Sequence, residues 1–161
     1  MDVATLLDEI RRNPACVIHS PVGLPYVRPQ YTLPGDVLAF YTLCGGVDFF
    51  SASSAPICIV PPPRFVPANP VIAFTEEGYD DISDAWHLLA GISNGDYIVL
   101  DCDPARLGRC YDGNHETYGL GGQTPIIASS FSEFMERTLA VGEGGYYWAQ
   151  PSFHALGDAY D

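Results

Sequence analysis

Proline placement limits this chain to short elements. Residues 61–70 carry five prolines (Pro61, Pro62, Pro63, Pro67 and Pro70), and residues 14–31 carry four more with one glycine. Proline lacks a backbone N–H and fixes φ, so neither stretch can be a helix interior or a central strand. The first is read as an extended loop and the second as an ordered connection. Helical periodicity survives only outside them. Val3, Leu6, Leu7 and Ile10 recur at i, i+3, i+4, i+7 within residues 2–13. Asp2 is placed to cap that helix, Arg11 and Arg12 complement its C-terminal dipole, and Asn13-Pro14 stops it. A second helix opens at Leu33-Pro34, with proline where a missing N–H costs nothing, and buries Val37, Leu38, Phe40, Tyr41 and Cys44. Gly45-Gly46 is expected to close it in a left-handed cap. A third helix is announced by the capping box Ser130-Phe131-Ser132-Glu133, continues through Phe134, Met135 and Leu139, and ends at Gly142–Gly145.

Strands fill the space between. Val47–Phe50 and Ile57–Val60 are short β-branched or aromatic runs, and Val71–Phe74 reads as a further short strand or the approach to one. Trp86–Ile92 and Tyr97–Leu100 form a hairpin around Asn94-Gly95, with Trp86, Leu88, Ala90 and Ile92 on one face. A helix from near Ser83 through Ala90 is the competing reading of its first arm. The turn Asp103–Gly108 leads into Arg109-Cys110-Tyr111, and Ile126–Ala128 is a short buried segment. This order gives an α+β fold, an antiparallel sheet of about four to six strands flanked by N-terminal and C-terminal helices. At 161 residues, one domain over 1–141 is expected, followed by an aromatic tail over 142–161 docked on the body or on a partner.

Twenty Asp and Glu face seven Arg and no Lys, a net charge of −13 and a pI near 4.3. Phosphate backbones and anionic membranes repel such a surface, so direct nucleic-acid or membrane binding is disfavoured. A basic protein partner is favoured, because opposite fields speed encounter; the alternative is acidity that serves solubility alone. No apolar run approaches the roughly 18–20 residues of a membrane helix. Met1-Asp2-Val3 has none of the features of a signal peptide, so a cytoplasmic protein is expected.

Catalytic constellations are weak. There is no G-x-x-x-x-G-K, no lysine for Schiff-base chemistry and no G-x-S-x-G, and Gly119-Leu120-Gly121-Gly122 lacks a strand-to-helix setting. Five cysteines, an odd number without a C-x-x-C pair, argue against a disulfide framework or zinc finger. Cys110 with His115 would make a thiol–histidine pair only by proximity in sequence. Asp101 and Asp103 with Asp112 suggest carboxylate or Ca²⁺ chemistry, but Pro104-Ala105 replaces the EF-hand pattern and a turn start explains Asp103. No catalytic residue, metal or cofactor is assigned. The feature that suits a partner is the acidic loop Glu76, Glu77, Tyr79, Asp80, Asp81 and Asp84, where charge would steer and an aromatic would anchor. Its alternative is a solvated loop.

Taken together, Leu33-Pro34, Phe40-Tyr41 and Gly45-Gly46 resemble the N-terminal signature of the SUKH superfamily, the Smi/Knr-like proteins. Gly95–Asp101 with Pro104, Gly108 and Tyr111 is similar to that family's central hairpin, and Ala128–Phe134 to its closing helix. The likeness spans roughly residues 2–140; the proline-rich 61–70 segment and the 146–161 tail lie outside it. The resemblance implies an α+β binding fold without catalytic residues. Bacterial members are mostly immunity proteins that neutralise a cognate toxin, often a nuclease, and eukaryotic members are regulatory scaffolds. A toxin-binding immunity protein, a scaffolding module and, last, a carboxylate enzyme are the functions carried forward.

Overall fold

The computed structural model describes every residue except Glu77 and Tyr79. The elements run α1 (Val3–Arg11), β1 (Cys16–His19), α2 (Gly35–Leu43), β2 (Gly46–Phe49), β3 (Ile57–Ile59), α3 (Asn69–Ile72), β4 (Trp86–Ile92), β5 (Tyr97–Asp101), β6 (Cys110–Gly113), β7 (Ile126–Ala128) and α4 (Phe131–Val141). All seven strands pair antiparallel in sequential order, a single meander. The α+β class therefore holds, with more strands than the four to six expected.

The extra strand is β1. It fits between Pro14 and Pro21, where four residues are free to pair with β2. Its return path also explains Gly45-Gly46. The α2 helix ends at Cys44 in extended conformation rather than in a left-handed cap. The Gly45 amide donates to the His19 carbonyl at 2.8 Å, and a Cβ on Gly45 would overlap the Ser20 carbonyl oxygen. Gly46 sits at φ +136, a conformation other residues reach only under strain.

Val71–Phe74 is not a strand. Asn69–Ile72 is a single helical turn with Pro70 at its start, because proline is pre-organised for the first helical turn. The proline-rich stretch contributes more to the sheet than a loop would. Pro67 bridges His87, the Ala68 amide donates to Trp86 O and the Leu88 amide to Val66 O, so 66–68 flanks the first half of β4 as β3 flanks the second. Between the halves the register shifts at Leu89. That bulge turns the expected single face into two: Trp86 and Leu88 join one cluster, while Leu89 and Ala90 join the other.

The larger cluster lies under α1, α2 and α4 and includes Leu6, Ile10, Phe40, Phe49, Phe131 and Phe134. Asp2 caps α1 through the Thr5 amide at 2.8 Å. Ser130 caps α4 through the Glu133 amide at 3.1 Å, but the reciprocal contact goes from the Ser129 hydroxyl to Glu133 at 2.7 Å. Asp36 in the first turn of α2 accepts from the Ser132 amide and hydroxyl at 3.0 and 3.1 Å, joining the two helices. The smaller cluster, Trp86, Leu88, Val99, Tyr111, Ile126 and Ala159, is covered by loops, by Ile72 of the single-turn α3 and by Tyr160 instead of by a long helix. In the tail, Tyr147 is buried and its hydroxyl donates to Ile127 O at 2.8 Å. Residues 156–159 lie along the outer edge of β7, where the Ile126 amide donates to Gly157 O and the Leu156 amide to Ile126 O.

Candidate functional site

The acidic loop rises from the loop-covered face of the sheet, above a short 3₁₀ turn at Ile82–Ala85. Asp81 starts that turn by accepting from the Ser83 amide at 3.0 Å. It also accepts from the Tyr160 hydroxyl at 2.7 Å, so the last residues of the chain grip the loop. Asp84 is the second grip. It is buried and receives the Tyr31 hydroxyl at 2.5 Å and the Gly78 amide at 2.7 Å. Arg28 lies 3.2 Å from its carboxylate and donates to its carbonyl at 2.7 Å, while the same guanidinium stands 5.0 Å over the Tyr31 ring.

Burial pushes the Asp84 carboxyl up, but the Tyr31 hydroxyl, the Gly78 amide and Arg28 outweigh it and hold the group below the usual carboxylate range. Asp81 is also lowered: burial opposes, and the Ser83 amide and Tyr160 hydroxyl prevail. The Tyr31 hydroxyl is pushed up to about 12, chiefly by burial and then by Asp84. Beneath the loop, the buried Asn69 donates to Ser83 at 3.1 Å and accepts from the Tyr118 hydroxyl at 2.6 Å. The result is a small polar cleft lined by Asn69, Thr75, Asp81, Ser83, Tyr118 and Tyr160.

The six residues singled out in the sequence therefore fall into three groups. Glu76 and Asp80 are exposed. Asp81 and Asp84 are structural ties at the loop's base. Glu77 and Tyr79 lie outside the described residues. Sequence reasoning missed Arg28, Tyr31, Asn69, Tyr118 and Tyr160, the groups that hold the loop. No local pattern could have found them, since the Arg28 and Tyr31 bonds to Asp84 span 56 and 53 residues and the Tyr160–Asp81 bond spans 79.

The other candidate chemistries come apart in three dimensions. Asp101 is fully buried and occupied by the Tyr111 hydroxyl at 2.6 Å and Arg106 Nε at 3.3 Å. Asp103 pairs with Arg106 at 2.9 Å. Asp112 follows Tyr111 on β6, so alternation points it to the opposite face from the Tyr111–Asp101 pair. Cys110 is buried in the core, and burial pushes its thiol well up. His115 instead sits at the surface, bound to Asp96 at 2.7 Å. Among the described residues, no group of three or more His, Cys, Asp or Glu is arranged to hold a metal ion. Among them, too, no helix is long and apolar enough to cross a membrane.

The immunity protein YokJ of Bacillus subtilis (strain 168) is 35% identical over 161 residues, which is 100% of this chain and 97% of that protein. This chain belongs to the YokJ immunity-protein family. The YokJ likeness takes in the acidic loop, both of its ties and the whole 142–161 tail, since it runs the full length of the chain. No family model matches the chain, so its likeness to SUKH proteins is carried by the sequence features alone. No solved structure matches it either.

Proposed function

We propose that this chain is a cytoplasmic immunity protein of SUKH type that binds a cognate protein toxin with a basic surface and neutralises it without catalysis. The observation that carries this reading is the likeness to immunity protein YokJ, 35% identical over the whole of this chain. The net charge of −13 supports a basic partner. Glu76, Glu77, Tyr79 and Asp80 are the residues proposed to meet the toxin, and Asp81 and Asp84 the ties that hold their loop in place. The working unit on this reading is one domain over 1–141 with its tail, and it needs no metal or cofactor.

Co-expression with the product of the adjacent gene tests the reading. Growth rescue and a stable complex are the expected result; a toxic neighbour left unrestrained, with no complex, would sink it. The triple variant Glu76→Gln, Glu77→Gln, Asp80→Asn is expected to slow association several-fold at low salt and to flatten the salt dependence. An unchanged on-rate would move the interface off this loop.

A further inference from the structure

A groove separates the acidic loop's first residues from the turn between β4 and β5. Its walls are Val71 and Phe74 on one side, and Asn94, Tyr97 and His115 on the other. Phe74 is the unusual member. It is 90% exposed and holds φ +56, a region where a bulky side chain is a genuine outlier. Backbone outliers of this kind cluster at binding sites. Val71, 39% exposed, continues the apolar surface. The surroundings are acidic. Glu76 and Asp80 follow Phe74 on the same loop and are exposed, as is Glu116 beside His115, while Asp96 in the groove is taken up by His115. No arginine is among the lining residues, and His115 is already committed to Asp96.

We infer that this groove receives an apolar side chain from a toxin segment whose flanking residues are arginine or lysine, with Phe74 as the contact anchor. The inference rests on the immunity reading and adds to it the place where the complex is held. Carboxylates around the rim would steer the basic segment, and the apolar contact at the centre would set its dissociation.

The test uses the full chain and the adjacent gene's product, once that product is shown to be toxic and restrained by this chain. The Phe74→Ala variant is expected to keep its melting temperature and to bind at least tenfold more weakly, chiefly through faster dissociation. Tyr26→Ala removes another aromatic, 74% exposed and outside the groove, and is expected to bind as the parent does. A p-benzoylphenylalanine at position 74 is expected to cross-link a toxin peptide bearing arginine or lysine beside an apolar residue. If the parent binds and Phe74→Ala binds equally well, the groove is not the anchor and the immunity reading stands. A cross-linked peptide without basic residues would overturn the stated partner chemistry. Should the parent neither bind nor rescue, both readings fall together.

Discussion

His87 is buried, stacked on Phe65 with ring centroids 5.2 Å apart, and its Nδ1 donates to Ala85 O at 3.0 Å. Burial is the main force that lowers its pKa to about 4 from 6.5; Arg28 adds to the shift, while the Ala85 carbonyl and Asp84 oppose it. The unfolded chain therefore binds the extra proton first. Stability is complete above pH 6.5 and falls as pH drops toward 4, by about 3 kcal/mol for this group. Urea titrations across that window are expected to show the slope in the parent and its loss in His87→Phe. Any constant offset from repacking leaves that comparison intact. Asp84 has the opposite linkage sense to a buried acid without partners. Its depressed pKa stabilises the fold above the ordinary carboxylate value, and the contribution disappears as pH falls through the folded one. Asp84→Ala leaves Arg28 and Tyr31 facing a vacancy, a loss of about 3 kcal/mol measurable by denaturant unfolding at pH 7.

Among the elements, two glycines that flank Tyr97 from either side, Gly91 on β4 and Gly113 on β6, are expected to answer differently to the same change. A Cβ on Gly113 would sit 2.5 Å from the Tyr97 carbonyl oxygen, whereas one on Gly91 would meet nothing within 4 Å. Gly113→Ala is expected to cost about 2 kcal/mol by forcing β5 and β6 apart. Gly91→Ala should cost nothing and can gain about 0.5 kcal/mol by restricting the unfolded chain. Melting curves of the two variants decide this. The contrast also marks what the sequence made legible. The α1 periodicity, the Asn94-Gly95 turn and the Ser130 cap are local signals, and the structure follows them. The Leu89 bulge, the pairing of 66–68 with β4 and the status of Val71–Phe74 depend on neighbours distant in the chain. Apolar composition alone could not separate a one-turn helix after Pro70 from a short strand. For the candidate site the limit was similar: the carboxylates stood out as a cluster, but which of them face solvent was decided by tyrosines and an arginine far away in sequence.

The whole molecule is a meander whose first strand is a short edge between two prolines and whose last is covered by the chain's own end. Uncovered edges are templates for pairing with other copies. Removing residues 156–161 strips the partners from the Ile126 amide and carbonyl, and the shortened protein is expected to associate with rising concentration in light scattering. A chain that stays monomeric would show that the β7 edge needs no cover. The same segment holds Asp81 through the Tyr160 hydroxyl. Because that bond spans 79 residues, every carboxylate of the loop is synthesised long before the tyrosine that ties Asp81. A product that ends before Tyr160 carries the full charge of the loop without the hydroxyl that ties Asp81, leaving Asp84 and the Ser83 contacts to hold its shape.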